Sequence, residues 1–438
     1  MKTIRKLSLI ISGLAAVMFL WGFATGHNAL WEPAAVGFCV FGALGIGALE
    51  SLKNYQYTAW IITAVVAAMI YPADFLKVGS FDLRNKWLIL IVVQTVMFGM
   101  GIQMSLKDFT GLGSTGRGVL IGLACHFTVM PLMGFMLTKI FHFDPEIAAG
   151  VILIGSCSSG LASNVMVYLA RANLVLSVAV TAIATLAAPF LTPILMKLLA
   201  GTLISIKFVS MMMEIIKIVL VPIGAALLHD YLKRASASGK KKVMSIAVLC
   251  IVYLTALAGG LYRVLEGYFS EAGMQSVEIS AFLAGAFLVG AIYHLIYLKR
   301  PQVDKSIPYL SMFGIVYFTA VTTAAGRDNL LHVGLLLFLA SVIHNGAGYF
   351  FGYWLSRIFG LDKNSSRTVA FEVGLQNGGM ASGLAGSMGK LATVGLAAAV
   401  FSPWMNISGS ILANYWRKRP AEKPLHDNIV HYHEKSLS

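Results

Sequence analysis

Charge is scarce in this 438-residue chain: 12% of its residues are Asp, Glu, Lys or Arg, against 58% hydrophobic, and the mean hydropathy is +0.77. Soluble domains carry about a quarter charged residues, so a soluble enzyme is excluded and a chain that crosses a bilayer many times remains. Acidic residues are scarcest, 19 against 33 basic ones, for a formal net charge of +14. That excess does not point to nucleic acid, because the basic residues are scattered over short loops and form no patch interleaved with aromatics. Cysteine is rare as well. Cys39, Cys125, Cys157 and Cys250 all fall in apolar stretches without metal-ligand spacing, which argues against disulfides and a transition-metal site and leaves packing as their role.

Long polar stretches are also missing, so no soluble domain is expected. The longest is the tail after Trp416, read as a solvated end whose His426, His431 and His433 are not expected to bind metal. Gly113-Ser114-Thr115-Gly116-Arg117-Gly118 looks faintly like a phosphate loop but lacks the Gly-Lys-Ser/Thr ending and a flanking strand. Asn406-Ile407-Ser408 matches a glycosylation sequon inside an apolar span, out of reach of a glycan. With no Ser-His-Asp arrangement or metal-protease motif in convincing context, hydrolysis is unsupported.

What is present is a series of apolar runs. About 20 such residues make one helical crossing, and the runs give fourteen spans, near 8 to 25, 33 to 49, 56 to 74, 87 to 104, 117 to 140, 146 to 169, 173 to 199, 209 to 232, 243 to 263, 279 to 298, 307 to 325, 331 to 356, 367 to 388 and 391 to 415. The first, behind Lys2, Arg5 and Lys6, resembles a signal peptide. Phe23-Ala24-Thr25-Gly26 makes a poor cleavage site, so an uncleaved span is expected. Charge supports the even count. One set of alternate loops holds Lys53; Lys107 and Arg117; Arg171; Lys233, Arg234 and Lys240 to Lys242; Lys299, Arg300 and Lys305; and Arg357, Lys363 and Arg367. The basic start and the tail from Arg417 join that side, whereas the opposite loops hold only Lys77, Arg84, Lys86, Lys139, Lys207, Arg263, Arg327 and Lys390. The positive-inside bias places both termini in the cytoplasm, and the expected location is a bacterial inner membrane.

Two spans are interrupted. Gly155-Ser156-Cys157-Ser158-Ser159-Gly160-Leu161-Ala162-Ser163-Asn164 and Phe371-Glu372-Val373-Gly374-Leu375-Gln376-Asn377-Gly378-Gly379 lie in corresponding positions of two halves. Paired breaks of this kind mark the central site of a transporter. Glu372 is the acidic residue that sits inside an apolar stretch, where a carboxylate is expensive to bury. It is either a span-end residue reaching water or a ligand for a cation taken from solution, and the glycines and amides that follow favour the cation. Unwound glycine-rich backbone exposes carbonyl oxygens, and hard cations prefer oxygen. Half-helices starting after the breaks would offer positive ends to an anionic substrate.

Ser163 and Asn164 belong to the first break, while Ser177 and Thr181, four apart, share one face of the next span. Ser and Thr in membrane helices often bond back to their own backbone, so beside a broken helix both roles stay open. His126 and His344, the latter next to Asn345, are buried candidates for proton handling or for packing. Glu214 and Lys217 are placed to pair on one helix face. Pro131, Pro189, Pro193 and Pro222 read as helix kinks.

At these residues the chain resembles the bile acid:sodium symporter family. The resemblance rests on Met97-Phe98-Gly99-Met100-Gly101, Ala162-Ser163-Asn164-Val165-Met166 with Tyr168-Leu169-Ala170-Arg171, Leu176-Ser177-Val178-Ala179-Val180-Thr181, Glu372-Val373-Gly374-Leu375-Gln376-Asn377 and Asn406-Ile407-Ser408-Gly409-Ser410, and covers most of 56 to 232 and 307 to 416. It implies an all-α integral membrane protein with a ten-helix inverted-repeat core, two discontinuous crossing helices, and a panel bundle that moves against a core bundle. It implies one sodium site at Ser163, Asn164, Ser177, Thr181 and Glu372. A second would use Glu372, Val373, Leu375 and Gln376, with help from the helix of His126. It also implies an organic anion as substrate, bile-acid-like or a small carboxylate, met by Leu161, Asn377 and Asn406.

This sequence departs from the family pattern at three places. His126 stands where many members have glutamine, Leu161 ends the stretch that is Cys-Pro-Gly-Gly-Thr in the family, and Met405 replaces a common histidine. A neutral imidazole offers sodium only a nitrogen, and a protonated one repels it. The segments 8 to 49 and 243 to 298 fall outside the ten-helix pattern as added pairs, for which peripheral packing or oligomer contact is expected. The expected organisation is therefore an added pair in 1–50, repeats at 56–200 and 205–416, and a cytoplasmic tail at 417–438. The function expected is sodium-coupled symport by alternating access, with sodium as coupling ion and no enzymatic activity; proton-coupled transport and a non-transporting anion sensor on the same scaffold are the alternatives.

Overall fold

Backbone groups inside a bilayer have no water to bond, so each crossing must satisfy its own N–H and C=O groups as a helix. The computed structural model, described over residues 2–50, 52, 55–106, 112–419 and 421, follows that rule. Ten of its helices are long and apolar enough to cross a membrane, and shorter apolar helices at Gln56–Ile70, Lys86–Ile102 and Pro145–Ser156 accompany them. Each of the fourteen expected spans overlaps one or more helices. Lys53, Lys107 and the histidines of the tail lie outside the described residues.

The helices run α1 (Lys2–Ala24), α2 (Asn28–Gly45), α3 (Gln56–Ile70), α4 (Pro72–Leu76), α5 (Lys86–Ile102), α6 (Leu112–Phe141), α7 (Pro145–Ser156), α8 (Leu161–Leu169), α9 (Leu174–Ala200), α10 (Phe208–Ile215), α11 (Val221–Arg234), α12 (Ala237–Ala256), α13 (Tyr262–Glu266), α14 (Glu271–Lys299), α15 (Val303–Ala325), α16 (Arg327–Ile358), α17 (Lys363–Gly374), α18 (Gly378–Ser387) and α19 (Val394–Arg417). Polar side chains set several starts. Asn85 accepts from Trp87 N, Asn173 from Leu176 N, Asp362 from Asn364 N and Ser365 N, and Asn377 from Met380 N, each satisfying donors that a helix start leaves orphaned. Pro145 opens α7, where its missing N–H is no loss.

The expected span at 56 to 74 differs. Its helix stops at Ile70, and α4 and a two-stranded antiparallel hairpin, Lys77 opposite Asp82 and Val78 opposite Phe81, follow. Pro72 ends it, since proline disfavours helical conformation in the residue before it. The spans at 146 to 169 and 367 to 388 are each two half-helices. The spans at 209 to 232 and 243 to 263 contain π-helical turns at Ile216–Leu220 and Leu257–Leu261, the latter kinked at Gly260 with φ +119°.

Packing sorts the helices into two groups. α3, α5, α10–α11 and α15 form a panel, and α6, α7–α8, α9, α16, α17–α18 and α19 form a core. Panel and core meet where α5 packs on α18 and α15 on α19. The added α1–α2 pair leans on α3, and α12–α14 lean on α11.

The two broken helices cross in the core. Asn377 N donates to Ser158 O at 2.9 Å and Gly160 N to Leu375 O at 3.4 Å, pairing Ser159 antiparallel with Gln376. Each extended stretch thereby satisfies backbone groups that leaving the helix would orphan. Gly160 is required there, because a Cβ on it would lie 2.9 Å from Gln376 O.

Candidate functional site

The end of α17 carries Glu372 into the crossing point, where it is wholly buried. Among the described residues no basic side chain forms an ion pair with its carboxylate. Hydroxyls surround it instead. Ser177 Oγ donates to Oε1 at 2.5 Å, Ser159 Oγ to Oε2 at 2.6 Å and Thr181 Oγ1 to Oε2 at 2.9 Å. Ser177 and Thr181 reach it together because four residues place them one turn apart on α9. Asn164 joins from α8, its Oδ1 lying 2.7 Å from Ser177 Oγ and 3.4 Å from Thr181 Oγ1. Ser163 Oγ lies 3.4 Å from Thr181 Oγ1 and donates to Gly160 O.

The electrostatics of this cluster are one-sided. The hydroxyls of Ser159, Ser177 and Thr181 bring one hydrogen each to the two carboxylate oxygens and the Asn164 oxygen, and Ser177 and Thr181 each face two of these acceptors. A buried negative charge ringed by hydroxyl and amide oxygens is complementary to a hard cation. Ser163, Asn164, Ser177, Thr181 and Glu372 are thus brought together, as the sequence led us to expect. Ser159 was not foreseen as a partner. Its signal was its place in the first break, but its two serines differ in direction: Ser158 Oγ faces Met380 Sδ and Ser159 Oγ faces Glu372.

The residues expected at a second ion site are arranged differently. His126, also fully buried, sets Nδ1 2.8 Å from Glu372 O and Nε2 2.8 Å from Cys157 O. The ring joins carbonyls at the ends of the two first half-helices, α7 and α17, whose negative dipole ends need donors. Gln376 Nε2 donates to Val373 O at 2.7 Å, Asn345 Nδ2 to Gly374 O at 2.8 Å, and Leu375 O accepts from Gly160 N. The carbonyls of 372 to 375 are therefore engaged by donors of the protein. Gln376 Oε1 stays buried without a partner among the described residues. His344 sits apart, with Nε2 2.8 Å from Met130 O.

The expected substrate residues flank the crossing. Asn377 caps α18, and its Nδ2 faces the sulfurs of Met97 and Met100 on α5, 3.9 and 3.8 Å away across the panel–core boundary. Leu161 is half-buried at the start of α8. Asn406 is buried and spends its amide on Ser402 O in its own helix.

With this geometry in place, the chain can be set beside known proteins. Residues 90–265 match the family described as Sodium Bile acid symporter family. The chain is 32% identical over 379 residues to the uncharacterized sodium-dependent transporter YocS of Bacillus subtilis (strain 168), covering 86% of this chain and 95% of that one. It is 28% identical over 371 residues to the probable chloroplastic sodium/metabolite cotransporter BASS1 of Arabidopsis thaliana, covering 85% and 75%. To the human ileal sodium/bile acid cotransporter it is 26% identical over 319 residues, covering 71% and 72%. In fold it is similar to the sodium proton antiporter MjNhaP1 of Methanocaldococcus jannaschii, with a TM-score of 0.50, 13% identity and coverage of 90% of this chain and 99% of that one.

Proposed function

The chain belongs to the sodium bile acid symporter family, a family of sodium-dependent transporters, and from that premise we propose that it is a secondary symporter that moves an organic anion with sodium by alternating access. The observation that carries this reading is the Glu372 cluster: a fully buried carboxylate ringed by Ser159, Ser177, Thr181 and Asn164, with no basic side chain among the described residues to neutralise it. Sodium supplies the missing charge. The names of the relatives support the same ion.

Sodium at Glu372, Ser163, Asn164, Ser177 and Thr181 ties α8, α9 and α17 together at the crossing. Of these, α17 ends and α8 starts beside Asn377, so an occupied ion site holds the start of α18 ready for an anion. Ion and anion then strengthen each other's binding, and the coupling is reciprocal. The Met97 and Met100 contacts on Asn377 are long, weak and easily exchanged, which suits a panel that leaves and returns once per cycle. The anion is bile-acid-like or a small carboxylate, and the basic loop ends face the cytoplasm.

The test is uptake of labelled cholate, pantoate and pyruvate into proteoliposomes at fixed pH and clamped potential. A sodium gradient should drive uptake of at least one of them, and replacing sodium by N-methylglucamine should abolish it. Equal uptake in both conditions contradicts the proposal.

A second reading couples a proton, and one observation favours it. Both ring nitrogens of His126 face carbonyl oxygens, and a ring that donates to both carries a positive charge. Substrate-driven proton movement in sodium-free liposomes, lost in Glu372→Gln, would decide for it.

A further inference from the structure

A second polar cluster lies on the panel–core seam, remote in sequence from the crossing. Lys217 sits in the π-helical turn between α10 and α11, and its side chain is only 10% exposed. Its Nζ is 3.2 Å from Glu214 Oε1 and 2.8 Å from Glu278 Oε1. Glu278 belongs to α14, one of the added helices, so α14 reaches this seam with a carboxylate. Phe282, one turn further along α14, places its ring centroid 5.7 Å from the ammonium. Gln94 on α5 donates to Lys217 O at 3.1 Å, holding the irregular turn in place.

Beside this cluster is a cavity of about 330 Å³, walled by α5, α10, α14 and the end of α18. Its wall is divided: Lys86, Lys217, Glu214 and Glu278 supply charge, and Trp87 and Phe282 supply aromatic surface. At its base α5 and α18 touch through glycine, since a Cβ on Gly386 would lie 2.8 Å from Ile89. Eight residues of α18 separate Gly386 from the cap residue Asn377, about 14 Å along a helix. The cavity is therefore a mouth of the boundary that must open, at the far end of the half-helix that begins at the proposed anion site.

The exposure of the three charges assigns their parts. The carboxylates are partly exposed, with side chains 36% and 44% accessible, whereas the lysine side chain is largely withdrawn from water. An ammonium has three N–H donors and these carboxylates use two. A carboxylate arriving in the cavity can use the third or displace Glu278, meeting a cation that is already largely desolvated. We propose that this cavity is an access site for the transported anion, in which Lys217 receives the carboxylate of an apolar organic monoanion and Glu278 of the added helix α14 competes with it. The role, though not the binding, rests on the symport reading above.

The experiment uses the full-length protein in detergent without a sodium gradient, and 2-naphthoate as the probe, whose absorption accepts tryptophan emission. Saturable quenching should appear in the wild type and shrink in Trp87→Phe. Lys217→Gln should weaken binding by about tenfold or more, the worth of one charged hydrogen bond, and Lys217→Arg should keep most of it. Glu278→Gln should tighten binding, since the competitor is gone. If Lys217→Gln folds poorly with two carboxylates unpaired, the Lys217→Gln/Glu278→Gln pair carries the test and should bind as weakly. 2-Naphthamide, which lacks the charge, should not distinguish the wild type from Lys217→Gln. Absent binding, or equal naphthoate affinity in the wild type and both Lys217→Gln variants, overturns the inference. The two readings fail separately: sodium-driven uptake without Lys217-dependent binding removes the access site alone, and Lys217-dependent binding without sodium-driven uptake removes symport alone.

Discussion

A carboxylate that lies fully buried without a basic partner destabilises the protein unless something neutralises it, and that makes Glu372 sensitive in opposite directions. In sodium-free buffer Glu372→Gln should be as stable as the wild type or more so, because the buried charge is gone. In saturating sodium the order should reverse, since only the wild type gains ligand stabilisation; thermal unfolding of both proteins in sodium and in potassium checks it. His126 makes a different prediction. Its ring and the Gln376 amide already engage Glu372 O and Val373 O, so sodium should activate uptake with a Hill coefficient of about one, moving toward two in His126→Gln. A coefficient of about two in the wild type would show that these carbonyls are released to a second ion. His126→Ala, which orphans two buried carbonyls, should lose about 1–3 kcal/mol for each.

At the scale of the element, the broken helices were legible because their chemistry is local. Glycine and small polar residues interrupt two apolar runs, and the same residues form the observed crossing at Ser159 and Gln376. The grouping of Ser177 with Thr181 was legible from helical spacing. The hairpin at 77 to 82 was not, because a two-residue strand has no period to read. Nor was the junction of Lys217 with Glu278, which lie sixty-one residues apart and meet only through the packing of α14 on the panel. Ser159 and Ser158 are indistinguishable in sequence, and only the backbone direction at the break selects which one reaches Glu372. The start of α17 offers a test of how the ion site is carried. Asp362 caps it, and although burial raises its carboxyl, hydrogen bonds from Ser365 and Asn364 hold it below its ordinary value of 3.8. Its contribution is therefore complete above that value and is lost as pH falls through the lowered one. Asp362→Ala should cost about 1 kcal/mol of stability at neutral pH, with the difference from wild type shrinking in acid, as denaturation at both pH values would reveal.

For the whole molecule, the crossing sits in the core while the panel reaches it through α5 and α15. On the symport proposal, sodium at Glu372 acts on elements that face the panel–core boundary. Among the described residues α14 reaches the seam through Glu278 and Phe282. The central claim is that the buried carboxylate binds sodium, and equilibrium binding of sodium-22 to the purified protein, with potassium holding the ionic strength constant, tests it without knowledge of the anion. Saturable binding in the wild type that disappears in Glu372→Gln is the predicted result. No saturable binding, or binding unchanged in Glu372→Gln, contradicts the account.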